Sequence, residues 1–230
     1  MKKQDVPQPS IANMTESNRQ LFNTAGSDVP PVNFEQNPNF FENEIENLQK
    51  TLSRDAEWDI RVKAMRRLMG LINAGILEND YFRRNLITFY SDISTAITNL
   101  RSALVKQSCL LVSQLSRELG TQFESIGDYF VPLSSQLSHG TQIISESCYF
   151  TILNIARNCP SKRILFSIFD LSGVNTNNAA NAGSKRRGVA AECLKIVVEN
   201  WDFTIIESNW DIFQKAVLSL ISDSSAEARE

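Results

Sequence analysis

NLRSALVKQSCLLVSQLSRELG, residues 99–120, decides the fold class of this chain. Val105, Ser108, Leu111, Val112 and Leu115 recur at the three- and four-residue spacings of one helical face, so a helix is predicted over about 102–118, ended by Gly120. One position on that face is small: Ser108, three places after Val105. The same placement recurs as Arg61 to Ala64, Ile144 to Ser147 and Ala190 to Cys193, with successive small residues 44, 39 and 46 positions apart. A period near 40 to 47 containing two helices is that of HEAT-type repeats, in which each antiparallel pair buries its apolar face by stacking on the next. The small residue lets neighbouring helices approach closely. A non-repetitive helical bundle is the alternative.

The helical period continues on both sides of this stretch. Asn37-Pro38 reads as a cap and first helical position, followed by Phe41, Ile45, Leu48 and Leu52. After the polar turn SRDAEW, Ile60, Ala64, Leu68, Leu71 and Ile72 share a face. Further helices are predicted over about 79–99, 123–138, 141–158, 161–171, 186–200 and 207–221, and no stretch shows strand alternation. The fold class is therefore all-α, a HEAT-repeat solenoid of antiparallel pairs over 37–230.

Five of the seven prolines fall within the first 38 residues, which are rich in Asn, Ser and Gln, so residues 1–36 are expected to be a disordered leader. A second polar segment, SGVNTNNAANAGS at 172–184, is expected to be a flexible insertion. With 42% hydrophobic and 21% charged residues in a chain of 230, disorder throughout is excluded. A net charge of −3 lacks the basic field that polyanions require, so nucleic acid is not an expected partner. The start MKKQDVPQPS has no apolar run behind its lysines, and no 18 apolar residues occur together; neither a signal peptide nor a membrane span is expected.

Cys109, Cys148, Cys159 and Cys193 form no CxxC pair, and His139 lies beyond metal-motif spacing from them; a reduced, cytosolic or nuclear chain without a metal is the simplest reading. Gly-rich phosphate loops, HExxH and nucleophile elbows are absent from the sequence. A Cys109–His139 nucleophile pair is the one catalytic alternative, but a cysteine on an apolar helix face is usually packing, and His139 beside Gly140 reads as an exposed turn residue. No enzyme activity, cofactor or small-molecule substrate is expected.

In such an array the turns inside each pair line up along one edge. Here they are Asp55–Asp59, Asn99–Ser102, Ser138–Gln142, Ser172–Arg187 and Asp223–Ala226, a ridge suited to a large protein partner. The segments EWDIRVKAMRRL, NLRSALVKQSCLLVSQLSRELG, TQIISESC, SKRRGVAAECL and SDSSAEAR together resemble a TOG domain of the CLASP type, from about residue 38 onward. The Leu-Arg-Ser-x-Leu-Val-Lys run is the most specific part.

That resemblance implies a TOG-like paddle that binds αβ-tubulin through the ridge and regulates microtubule dynamics by stabilisation or rescue, in the cytoplasm on microtubules and the spindle. The contact positions it implies are Trp58 and Arg61 in the first turn, then Arg101, Ser102 and Lys106, then Thr141 and Gln142, then Lys185, Arg186 and Arg187, and finally Arg229. A desolvated tryptophan anchor is worth about 2 kcal/mol, whereas rim cations mainly steer encounter.

For Trp58 the competing reading is a core residue, disfavoured by its acidic neighbours Asp55, Glu57 and Asp59; Trp201 and Trp210 are expected in the core. Lys185-Arg186-Arg187 could instead be a solvated loop or a nuclear localisation patch. A HEAT scaffold or adaptor with a non-tubulin partner is the alternative function. The array is expected to be cut short in its fifth repeat, where a second helix would begin at Ala226, leaving Ile212, Phe213, Ala216, Val217 and Leu220 short of a neighbour.

Overall fold

A computed structural model describes residues 16–174 and 183–229, and among them every regular element is helical. The first repeat pairs α2 (Pro38–Leu52) with α3 (Trp58–Asn73). Asn37 caps α2 as expected, its Oδ1 accepting from the Phe40 amide at 2.8 Å, with Pro38 in the first helical position. Phe41, Ile45, Leu48 and Leu52 all face the core.

The helix predicted over 79–99 is broken. It comprises α4 (Asp80–Asn85), a 3₁₀ turn at Leu86–Phe89 and α5 (Tyr90–Ile97), and it pairs with α6 (Ser102–Leu119). The helix predicted over 123–138 is replaced by a 3₁₀ segment, Gly120–Ile126, and α7 (Phe130–Gln136), which pairs with α8 (Gln142–Asn158). Gly127 causes the second break. Its φ is 123°, and a Cβ there would lie 2.2 Å from the Tyr90 ring, whose hydroxyl donates to the Asp128 carbonyl at 2.8 Å. The turn is shaped around a tyrosine from the preceding repeat.

The fourth pair is α9 (Lys162–Ser172) with α10 (Ser184–Asn200). The fifth starts with α11 (Phe203–Glu207) and α12 (Trp210–Ile221), and the short α13 (Ala226–Arg229) lies against α10 and α12. The second helices stack in order, α3 on α6, α6 on α8 and α8 on α10, while the first helices stack on the other layer. Ala64, Ser108, Ser147 and Cys193, the small residues that define the period, are all buried. Phe213, Ala216 and Leu220 are buried too, covered by α9, α10 and α13.

Helix α8 lies at the centre and is buried continuously from Ile144 to Ala156. Its buried polar side chains are hydrogen-bonded within the protein. Thr151 Oγ1 donates to the Ser147 carbonyl at 2.7 Å, and Glu146 accepts from Gln142 Nε2 at 2.5 Å and from Asn18 Nδ2 at 2.7 Å.

The expected leader is corrected in part. Residues 1–15 lie outside the described residues, but α1 (Glu16–Asn23) and the chain to Asn37 form a strap across the outer face of α8, α6 and α3. Phe22 stacks on Phe150 at 5.7 Å, and Ala25 and Val29 are buried. An irregular segment must satisfy its backbone polar groups, and here the second helices supply the donors. Asn154 donates to the Phe22 carbonyl, Arg117 to the Ala25 carbonyl at 3.0 Å, and Asn73 to the carbonyls of Gly26 and Val29 at 2.8 and 2.7 Å. Composition hid the strap because it has few apolar residues and no period beyond one short helix. Of the expected insertion at 172–184, residues 175–182 lie outside the described residues; Ser172 ends α9 and Ser184 begins α10.

Candidate functional site

The turns inside each pair lie at Ser53–Glu57, Thr98–Arg101, Leu137–Thr141 and Ser222–Ser225, with a fourth turn between α9 and α10 that includes residues outside the described set. Trp58 opens α3 and is 37% exposed. The Arg101 guanidinium, from the next repeat, lies over its indole with the Cζ atom 5.3 Å from the ring centroid. That is cation–π geometry, and it brings the first two turns into contact through residues 43 positions apart in sequence. Arg101 itself caps α6 without a side-chain bond, its amide donating to Asn99 Oδ1 at 2.9 Å.

Arg61 corrects the sequence expectation. It is 3% exposed and lies beneath the first turn rather than on it. Its Nε donates to the Leu52 carbonyl at 3.0 Å, and its terminal nitrogen donates to the Asp92 carbonyl at 2.6 Å and to Thr95 Oγ1 at 3.1 Å. Burial pulls its pKa below the ordinary arginine value, and the nearby Asp92 carboxylate works against that shift. The side chain ties the end of α2 to α5 and is unavailable to a partner. Ile60, expected on the buried face, is 41% exposed, so the inward stripe of α3 runs through Arg61, Ala64, Met65 and Leu68 instead.

In the second turn Ser102 and Lys106 are half-buried on the first two turns of α6. In the third, Thr141 and Gln142 are exposed, but the Gln142 amide is committed to Glu146. His139 is half-buried, its Nδ1 accepting from the Thr141 amide at 3.0 Å, so it shapes this turn. Cys109 is fully buried with its sulfur 3.8 Å from that of Cys148, a packing environment with no exposed nucleophile.

In the fourth turn Lys185, Arg186 and Arg187 are all half-buried. Arg187 makes a two-pronged contact with Asp223, at 2.6 and 3.2 Å, and both side chains are largely enclosed. The Arg187 hydrogen bonds hold the Asp223 carboxyl below the ordinary carboxylate range. Arg229 is exposed and donates to the Asp223 carbonyl at 2.6 Å, so Asp223 joins the fourth and fifth turns. Arg187 is therefore a strut of the ridge.

Of the other tryptophans, Trp201 is buried with its Nε1 donating to the Ala156 carbonyl at 2.7 Å. Trp210, expected in the core, is 48% exposed and stacks on Phe213 with its ring centroid 6.0 Å away. Among the described residues no cluster of His, Cys, Asp and Glu could hold a metal ion, and no helix is long and apolar enough to cross a membrane.

The chain is 31% identical over 188 residues to a CLIP-associated protein of Arabidopsis thaliana, covering 81% of this chain and 13% of that protein. It is 30% identical over 222 residues to an uncharacterised Dictyostelium discoideum protein, covering 90% and 26% respectively. It is also 25% identical over 210 residues to CLIP-associating protein 1-B of Xenopus laevis, covering 90% and 14%. It thus spans about a quarter or less of the length of these relatives. Among solved structures, a designed armadillo repeat protein aligns with 96% of this chain and 91% of its own, at 14% identity and a TM-score of 0.43. The family model described as CLASP N terminal matches residues 41–230, from the first turn of α2 through every turn of the ridge, and the chain belongs to that family.

Proposed function

We propose that this chain is a tubulin-binding module of a CLASP-like microtubule-associated protein, engaging αβ-tubulin through the ridge of intra-repeat turns and regulating microtubule dynamics by stabilisation or rescue. Family membership supports the reading. The single observation that carries it furthest is Trp58, a large ring left 37% exposed at the ridge edge with Arg101 stacked on it. An amphipathic ring paired with a cation suits an acidic protein surface, because the ring supplies desolvated area and the cation supplies attraction. Trp58 and Arg101 form the centre of the contact. Ser102, Lys106, Thr141, Gln142, Lys185, Arg186 and Arg229 flank it, while Arg61 and Arg187 hold the turns in place.

Size-exclusion co-elution with unpolymerised αβ-tubulin tests the proposal. Complex formation is expected at low salt and should weaken as salt is raised, since rim cations are screened. Trp58→Glu should weaken binding by tenfold or more, about 1.4 kcal/mol or above, and Arg101→Glu should do the same while leaving the melting temperature unchanged. Absence of binding by the wild-type chain at low salt would refute the tubulin reading in favour of a scaffold for another protein. Undiminished binding by both variants would refute this placement of the site.

A further inference from the structure

Leu100, the residue before Arg101, is 86% exposed, more than any other large apolar residue among those described. A single exposed leucine carries no weight by itself. This one differs in two respects. First, it sits on a rigid tip. The α5 residues Ala96 and Ile97 on one side and the α6 residues Leu104 and Val105 on the other are fully buried. Between them the Asn99 amide donates to the Ala96 carbonyl at 3.3 Å, the Arg101 amide to Asn99 Oδ1 at 2.9 Å, and the Leu104 amide to the Arg101 carbonyl at 3.0 Å. Second, it is adjacent in sequence to Arg101, whose stack on Trp58 joins the first two turns of the ridge.

Every neighbour in the turn has a role inside the protein, whereas the Leu100 side chain contributes almost nothing to the fold. A polar residue would serve the turn equally well. A rigidly presented apolar knob loses little conformational freedom when a partner covers it, so its burial on association is little offset by ordering costs. Resting on the tubulin reading above, we propose that Leu100 is the second apolar anchor of that interface, burying beside Trp58 on αβ-tubulin. Arg101 then acts between the two as a positioning residue as well as a charge, its guanidinium supporting the indole.

Affinity for αβ-tubulin, measured for the wild type, Leu100→Asn and Leu100→Met at two salt concentrations alongside melting temperatures, tests this. Leu100→Asn should weaken binding about tenfold, equally at both salt concentrations, because the loss is apolar; Leu100→Met should bind like the wild type. Melting temperatures should be unchanged in both. Wild-type affinity in Leu100→Asn, with Trp58→Glu still defective, overturns the role of Leu100 and leaves the tubulin reading standing. Failure of the wild type to bind overturns both. Equal losses in the asparagine and methionine variants overturn apolar burial as the cause, and a lowered melting temperature in Leu100→Asn overturns the premise that the fold does not use this side chain.

Discussion

Arg61 shows how one residue can be placed correctly in sequence and wrongly in space. It lies within four residues of the first turn, in the segment that carries the family resemblance, yet its guanidinium points inward to the Leu52 carbonyl and the Asp92–Thr95 stretch of α5. The family resemblance implies a partner contact at this position, and an apolar stripe through Ile60 leaves Arg61 off the buried face. The helix is rotated by about one position, and Arg61 takes the inward place because carbonyls are waiting for it there. Replacement by methionine keeps the length and removes the donors, leaving the last carbonyl of α2 without its side-chain partner. We expect Arg61→Met to lower stability by about 2 kcal/mol in urea unfolding, with tubulin affinity unchanged for the folded fraction. A variant as stable as wild type would show that those hydrogen bonds are not holding the turn. Trp58, by contrast, was legible, since three nearby carboxylates argued against a buried ring and the side chain is partly exposed.

Elements whose faces are apolar at regular spacing were readable; those held by particular partners were not. Helices α2, α6 and α8 lie close to where their periodicity put them, because a period is a local property. The break before α7 depends on a tyrosine from another repeat and a glycine that accommodates it, which no local pattern encodes. The strap is the extreme case, since its carbonyls find donors on α3, α6 and α8. Gly70 tests its docking. It lies inside α3, where alanine would ordinarily gain about 1 kcal/mol of helix propensity. A Cβ there, however, would meet Val32 Cγ2 at 2.7 Å and the Pro30 carbonyl oxygen at 2.8 Å, and the Gly70 carbonyl accepts from the Val32 amide at 2.9 Å. The clash is with backbone and should outweigh propensity. Gly70→Ala is expected to destabilise by about 1–2 kcal/mol and to speed proteolysis within residues 24–36; a stabilised variant would mean the strap does not need that notch.

At the scale of the whole molecule, the core runs without interruption from the strap to α13. All four cysteines are inside it. Burial raises the Cys159 pKa to about 12 and pushes Cys193 up as well, while for Cys148 the hydrogen bond with Cys109 leads and burial adds to it. Thiolate is the reactive form, so these groups should be silent in the native state. Reaction with a disulfide probe at pH 8 is expected to stay slow until urea unfolds the protein, then to report four thiols together. A thiol that reacts quickly in the native protein would reveal local opening of a repeat. The period of the small residues made the order of the repeats legible, but not this unity, because the strap lies outside the period and spans three repeats at once.

The strap also sets a timetable. Its hydrogen bond between Asn154 and the Phe22 carbonyl joins residues 132 positions apart, whereas contacts between adjacent repeats span about one period. During synthesis, repeats can add one by one as they leave the ribosome, but residues 16–36, made before all of them, have no complete berth until α8 has emerged. At elongation rates of roughly 5–20 residues per second, that interval is about 7 to 26 s. Through it the Phe22 ring has no Phe150 to meet and the Phe22 carbonyl no Asn154. The segment translated before the repeats thus reaches its full set of partners only once the third repeat has been made.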